Sequence, residues 1–585
     1  MWKEIHNALG EIHAWAMSPV GFWVIWITVT VAAAVCAAWS IEQASARKIQ
    51  WAKEVIAPAQ QIETFRDIPA VILLAIFLAF YIAMTLLWED FAYYDNSIFT
   101  RFTLIGRDYP PPIWPQSGRF FPLSLQEFNL IRHFVDTHTG YQLLPLAQVL
   151  IFSCIFLLVD DQLRLAARAG LVTLVLLTPS VWIIFNGLTF AERDVLFLLA
   201  CLVLSIKRFE QTQSTAWAVV AIICAQAMLY SKETAFLLLL GFAAGRLILR
   251  SKNAQGEWDW DKEAYLDLCL ASLAVVFLLY YWAGVGFHNM QYADERRQPR
   301  TEVLFAYLRV DLLVWLFVAL MLARVSMILR GRAAPAALWD GLAFGGVFYL
   351  AAYPYLGIFA TYYLAPVDLI AVLYVGRFAI LSWPKVPSWG KVAGLMLAFA
   401  IILQDVSLSA MALFERKNII RGKVETAGII EAQYDSRAGS AIRLFFPFAS
   451  PYVIMEFAAY LSYRGVPVEG AADKTAGLDS VILASSAVAE DGPCVEYSSI
   501  RCHALSGPDP GDLVIVLPDD EGSFAESSVY RERAELLFSY VPRPPIPQRL
   551  FSRIPRIASS SAWVPGYMNK KLPDRWMYAA VMIWK

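Results

Sequence analysis

The sequence predicts a mainly α-helical, polytopic membrane protein: a bundle of about twelve spanning helices ahead of a C-terminal extracytoplasmic α/β domain. Three observations carry this expectation. Of 585 residues, 58% are hydrophobic and 17% charged, against roughly half apolar and a quarter charged in a soluble domain. The apolar residues gather in runs able to cross about 30 Å of hydrocarbon, and the mean hydropathy is +0.51. The loops between those runs alternate in basic charge. The 20 Trp and 26 Tyr suit a chain with two wet–dry interfaces, where amphipathic rings settle. A net charge of -2 argues against a nucleic-acid partner.

Apolar runs place spans near 20–40, 68–88, 140–159, 171–189, 194–206, 215–230, 234–249, 265–285, 304–328, 337–352, 357–379 and 391–411, the fifth to seventh being short. Met1 to Pro19 is weakly amphipathic and mixes Lys3, Glu4 and Glu11. No cleavage signal follows the first run, so it reads as a span rather than a removable leader. Alternate short loops hold Arg47, Lys48, Lys53 and Arg66; Arg164 and Arg168; Lys207 and Arg208; Arg246, Arg250 and Lys252; Arg330 and Arg332; and Lys385. These belong on the cytoplasmic side. The N-terminus, the loops 89–139 and 286–303, and the tail are then outside. Residues 1–411 form the membrane module and 412–585 the soluble domain. A bacterial cytoplasmic (inner) membrane is the expected location.

Five of the seven cysteines (Cys36, Cys154, Cys201, Cys224, Cys269) lie in or beside apolar runs and read as packing residues. Cys494 and Cys502 sit in the polar tail, at a spacing that suits a hairpin-scale disulfide in an oxidising compartment; two unrelated free thiols are the plainer reading.

The loop 89–139 is too apolar for solvated coil. Phe91, Tyr94, Ile98, Phe102 and Ile105 repeat at helical spacing, as do Phe121, Leu125, Phe128 and Ile131, with YPPPIWP between. Two amphipathic helices in the outer interface, framing a cavity open to lipid, are expected. In the tail, IRLFFPF, VILAS, LVIVLP and WMYAAVMIW read as strands and YVIMEFAAYLSYRG as a helix stopped at Gly465. RERAELLFSY reads as a second helix.

Chemistry is sought among charges at span ends, where a carboxylate is costly unless paired or working. Glu89 and Asp90 end the second span, with Asp95 a turn later; Glu192, Arg193 and Asp194 mark the next outer boundary, and Lys232 and Glu233 the one after. Any one cluster alone is more often a helix end meeting water. Three in succession, beside an aromatic loop, favour a shared polar site. Arg101, Arg107, Arg119, Arg132, Arg193, Arg296, Arg297 and Arg300 also fall outside, as ordinary solvated charge or as an anion site. A carboxylate can take a proton from an attacking hydroxyl, and cations such as Lys232, Arg119 and the Arg296, Arg297, Arg300 group can stabilise a leaving phosphate. Without ATP or nucleotide sugars outside the cell, a transferase there needs a lipid-phosphate donor.

These residues resemble the GT-C glycosyltransferases, in the branch of protein O-mannosyltransferases and lipid A aminoarabinose transferases. Glu89-Asp90 stands at the family's acid pair, Tyr93-Tyr94 in the following helix, GRDYPPPIWP at the proline turn, GRFFPLSL at the Gly-Pro segment and Gly140 before the next span. Asp194 in ERDVLFLLA, Lys232 in LYSKETAFLLLL and YYLAPVDLI continue the series in family order, which covers most of 68–380. Tyr362 stands where the late arginine would be, Arg119 stands near a lysine position, and one span precedes the usual first. The resemblance implies transfer of a sugar from a polyprenyl-phosphate-linked donor to a hydroxyl of a lipid, glycan or protein, with inversion. Asp90, or else Glu89 or Asp95, would be the base. Lys232 and nearby arginines would hold phosphate, and Tyr93, Tyr94 and Tyr362 would line the cavity. Some relatives use a divalent cation (Mg or Mn) and others do not; Asp90, Glu192 and Asp194 are the acids available for one. No HExxH-type motif is present. A lipid-linked glycan transporter or flippase, a glycan ligase or polymerase, and a scaffold are the rival classes.

Overall fold

The computed structural model describes residues 10–44, 64–93, 96–115, 118–250, 261–286, 298–436, 442–447, 449–468, 482–485, 492–493, 500–518, 533–540 and 579–585. Among these the chain is mainly helical. In chain order the first helices are α1 (Pro19–Ala44), α2 (Thr64–Trp88), α3 (Ser97–Arg101), α4 (Glu127–Ile131), α5 (His138–Val159), α6 (Leu165–Leu177), α7 (Pro179–Asn186), α8 (Ala191–Thr212) and α9 (Thr215–Ser231). Then come α10 (Ala235–Arg250), α11 (Lys262–Gly284), α12 (Arg300–Val310), α13 (Leu312–Leu329), α14 (Ala337–Leu356), α15 (Ala365–Ser382), α16 (Ser388–Ser436) and α17 (Pro451–Tyr463). The strands are β1 (Ile113–Trp114), β2 (Arg119–Phe120), β3 (Arg443–Phe446), β4 (Ile482–Ser485), β5 (Gly492–Pro493), β6 (Arg501–Ala504), β7 (Leu513–Val516), β8 (Ala534–Tyr540) and β9 (Ala579–Trp584).

Among the described residues, seven helical stretches are long and apolar enough to cross a bilayer, and eight if the pair α6–α7, bent by 72°, is one span. They are compatible with a multi-pass membrane protein. Several expected spans differ from the observed helices for visible reasons. Helices α9 and α10 are apolar but have only 17 and 16 residues. Helix α8 opens on Glu192, Arg193 and Asp194. The run 304–328 is not one helix but α12 and α13, separated at Asp311, whose carboxylate accepts from Leu313 N at 2.7 Å and so caps α13. The last span does not stop near 411: α16 runs 49 residues.

The chain divides into two compact units: 1–83, 110–127 and 143–409, and 84–109, 128–142 and 410–585. The outer loop is thereby shared between them. Its two expected amphipathic helices are much shorter than their apolar periods suggest. The first survives as α3 and a 3-10 turn at Thr103–Ile105, and the second as α4 alone. Positive φ at Leu125 keeps the first half of the second pattern out of helix, so α4 starts only at Glu127. Between them, β1 and β2 pair as a two-residue antiparallel hairpin.

Within the first unit, packing is closest between α10 and α14. Gly241 and Gly245 face Gly341 and Gly345, two small-xxx-small stripes that let backbones approach. A Cβ on Gly241 would meet the Gly345 Cα at 3.0 Å. Buried ion pairs fix helix neighbours. Arg246 Nε reaches Asp267 and its Nη1 reaches Glu210, both at 2.7 Å. Arg324 holds Asp340 through Nε at 2.9 Å and Nη2 at 2.8 Å, and Tyr374 donates to the same acid at 2.8 Å. Arg377 pairs with Asp160. Arg246 was expected in a cytoplasmic loop; like Arg324 and Arg377, it is paired inside the bundle, since an unpartnered buried charge is prohibitive.

The second unit contains a seven-stranded sheet in the order β5-β6-β4-β3-β7-β9-β8. Its central β6-β4-β3-β7 strands are parallel, and β5, β9 and β8 add antiparallel edges. Phe445, Ala484, Val514, Val516, Ala580 and Met582 form its core. Every residue of β7 is buried, the mark of a strand covered on both faces. Helix α17 follows β3 as expected, capped by Ser450 and stopped by Gly465 at φ 92°. The helix expected at RERAELLFSY is strand β8 from Ala534 onward. A bulge between Leu536 and Phe538 inserts Leu537, which breaks the alternation and imitates a helical period. Cys502 is disulfide-bonded, and the other five described cysteines are free; Cys494, its expected partner, lies outside the described residues.

Candidate functional site

In the first unit, three helix ends and the β1–β2 hairpin bring together much of the expected set. Glu192 (2% exposed) opens α8, and Lys232 (5% exposed) follows α9 in extended backbone. Their side chains pair at 3.0 Å. Arg119 on β2 donates to Glu233 at 2.7 Å and lies 4.6 Å from the Phe121 ring centre. Lys232 stands 5.8 Å from the Phe121 ring and 5.1 Å from that of Tyr363. Arg193, fully buried, joins Glu127 and also Asp194 at 3.2 Å, and Gln148 donates to Asp194 at 3.2 Å. Thr234, Tyr353 and Tyr349 continue the network through contacts of 3.0 and 2.9 Å. Tyr362 packs on Phe190 at 5.0 Å between ring centres.

The local sequence explains this convergence. The 3-10 turn Thr361–Leu364 presents consecutive tyrosines, and Leu123 N donates to Tyr230 O at 3.0 Å, which ties the hairpin to the end of α9. Burial opposes charge on Lys232, but the Glu192 and Glu233 carboxylates overcome it and raise its affinity for a proton. Burial also opposes charge on Glu233, but Arg119 and Lys232 prevail and hold its pKa below the usual range. Glu127 goes the other way: burial, reinforced by Asp194, pushes its pKa up to about 8. Arg119, Lys232 and Arg193 thus face Glu233, Glu192, Asp194 and a readily protonated Glu127, so the cluster is close to neutral.

The expected acid pair belongs to the second unit, and its two members differ. Glu89 is buried and paired with Arg416 of α16, whose guanidinium lies 3.8 Å from the Tyr93 ring centre. Burial raises the Glu89 pKa to about 7, against the lowering effect of Arg416. Asp90 is half-buried and turns its Oδ1 to Ala92 N at 3.0 Å. Burial raises its pKa, while hydrogen bonds from Ala92 and Tyr460 and the charge of Arg464 oppose the rise. Arg464 is itself held by Glu431 at 2.7 Å. Asn96 Nδ2 donates to Asp90 O at 3.1 Å and fixes the turn.

Arg300 is exposed at the start of α12 and stacks 4.8 Å from Tyr355. Tyr94, Asp95, Arg296 and Arg297 lie outside the described residues. Among the described residues no group of three or more His, Cys, Asp or Glu side chains could hold a metal ion. Of the acids considered for one, Glu192 is committed to Lys232 and Asp194 to Arg193. These residues do not fit a divalent cation. Sequence reasoning missed the roles of Glu127, Arg416, Tyr460 and Arg464. The last two share a helix face at i, i+4 spacing, a signal that the tail helix could have offered. No protein-family model matches this chain, and no curated protein matches it.

Proposed function

We propose that this chain is a membrane-embedded glycosyltransferase. It takes a sugar from a polyprenyl-phosphate-linked donor to a hydroxyl of a lipid, glycan or protein on the extracytoplasmic side of a bacterial cytoplasmic membrane. In this reading all twelve apolar segments cross or enter the bilayer, with the N-terminus and the tail domain outside. The observation that carries the proposal is the contrast within the acid pair. Glu89 is locked to Arg416, whereas Asp90 remains part-exposed beside a tyrosine hydroxyl, with burial weakening its acidity. A base tuned upward in this way suits proton removal from an acceptor alcohol. Asp90 takes the hydroxyl proton, the acceptor oxygen attacks the anomeric carbon with inversion, and the lipid phosphate leaves with the bonding pair. Lys232 and Arg119, in the first unit, are the candidate cations for a donor phosphate. Because Glu192 and Glu233 already hold them, an arriving phosphate would exchange for a carboxylate partner rather than enter a bare positive field.

A lipid-linked glycan transporter is the second reading. It is favoured by the bent pair α6–α7 and the break at Asp311, since transporters build their sites on discontinuous helices. The test uses purified full-length protein in nanodiscs, a panel of radiolabelled polyprenyl-phosphate sugars and extracted envelope acceptors. A new glycosidic product, with a higher donor KM in Lys232→Met, is the expected result. Lipid movement in proteoliposomes without a new bond supports the transporter; neither activity with any donor removes both readings.

A further inference from the structure

A second set of buried acids in the first unit plays no part in the proposed transfer. Asp311 (2% exposed), Asp368 (1%) and Asp405 (4%) come from the α12–α13 break, the first turn of α15 and the middle of the apolar stretch of α16. Ser180, the second residue after the 72° bend that opens α7, donates its hydroxyl to Asp368 Oδ2. Gln404 bridges the other break: its Nε2 donates to Val310 O at 2.8 Å and its Oε1 accepts from Leu312 N at 3.2 Å. Two interrupted helices therefore meet around three carboxyls.

Their hydrogen bonding is incomplete in a specific way. Asp311 has amide donors at the start of α13. The carboxyl of Asp368 lies within hydrogen-bonding reach of Asp311, yet Asp368 Oδ1 has no donor. Two carboxylates facing each other cannot bond; the contact becomes a hydrogen bond only when one of them carries a proton. Asp405, nine-tenths and more buried, feels Asp311 but makes no hydrogen bond or ion pair among the described residues. The described groups facing the three acids from α7, α13, α15 and α16 are Ser180, Gln404 and each other, with no Lys or Arg among them. Buried like charges at this spacing are too costly to leave ionised together.

We propose that Asp311, Asp368 and Asp405 form a proton-binding site inside the bundle, at the junction of its two broken helices. Asp311, capping α13, holds the negative charge; Asp368 shares a proton with it; Asp405 is a neutral acid. Protons come from bulk water and return to it, and only O–H bonds form or break. Removing them would set three anions against one another at the points where α6–α7 and α12–α13 are interrupted. A metal ion is disfavoured, because no group of three acids among the described residues is close enough to hold one.

The test is infrared difference spectroscopy of the full-length protein in nanodiscs, which reads the carboxylic-acid carbonyl band during pH steps. We expect this band at neutral pH. It should be weaker in Asp368→Asn and in Asp405→Asn, with thermal stability near wild type, because a neutral amide replaces a neutral acid. Asp405→Asn guards against misfolding of the other variant, since Asp405 makes no hydrogen bond among the described residues. A band absent at neutral pH, or unchanged in both variants, overturns the proposal. So does a band that appears only when sodium is replaced by choline, which would mark an alkali-cation site. Arg309, whose side chain lies outside the described residues, is the nearest basic residue in sequence; a band that emerges only in Arg309→Gln would show that an arginine neutralises the acids, and would also overturn it.

Discussion

Replacing Gly345 by alanine should loosen the α10–α14 pair. A Cβ there would stand 2.6 Å from Leu238 O and 3.2 Å from both N and Cβ of Phe242. Since ordinary contact starts at 3.4 Å, the two backbones must part by about 0.8 Å, a gap that forfeits a quarter to a half of each dispersion well along the seam. No flexible side-chain end is available to move aside, because the nearest atom is a backbone carbonyl. Overpacking of this kind costs about 1–3 kcal/mol. Gly170 in α6 is the control: a Cβ there meets nothing within 4 Å, so Gly170→Ala should be neutral or stabilising by up to about 1 kcal/mol. Both variants would be compared with wild type by denaturant-induced unfolding in mixed micelles. Equal midpoints for Gly345→Ala and Gly170→Ala would refute the close-approach argument.

Three further outcomes are expected. Asp340→Asn leaves the Arg324 guanidinium buried without its bidentate partner and should cost about 3–5 kcal/mol, measured by the same unfolding assay. If Asp90 is the base, activity is present above its folded pKa and lost as pH falls through it. Burial has raised that pKa from 3.8, so the acid limb of kcat/KM should lie above 3.8, and Tyr460→Phe, which removes a hydrogen bond to the carboxylate, should move the limb to higher pH. Alkylation of the denatured protein should label five cysteines without reductant and all seven with it, as counted by intact-mass spectrometry.

The helical class of the chain and most helix positions were legible because apolar runs of spanning length leave little else for the backbone to do. Strands β3, β4, β7 and β9 were legible because short, unbroken apolar runs next to turn residues suit a covered sheet. Legibility failed where a tertiary partner overrides a local period. Strand β8 looked helical because its bulge shifts the alternation at Leu537. The loop around Phe121 and Leu125 looked helical because its aromatics pack one by one rather than along a face. Asp311 breaks an apolar run that composition alone joins. The facing pairs Gly241–Gly245 and Gly341–Gly345 were present in the sequence as small-xxx-small motifs and could have been read from it. The difference between Glu89 and Asp90 could not. It depends on Arg416 and Tyr460, more than three hundred residues away, and no local pattern announces which acid will find the guanidinium.

In the proposed reaction a part-exposed, burial-weakened Asp90 does the proton transfer while Glu89 is structural. Single-turnover transfer from a radiolabelled polyprenyl-phosphate sugar tests this most directly, with Asp90→Asn and Glu89→Gln compared at matched expression and donor occupancy. Asp90→Asn should lose about 10²-fold or more in the chemical step with donor binding intact, and Glu89→Gln should retain chemistry in whatever fraction folds. Full turnover by Asp90→Asn would contradict it.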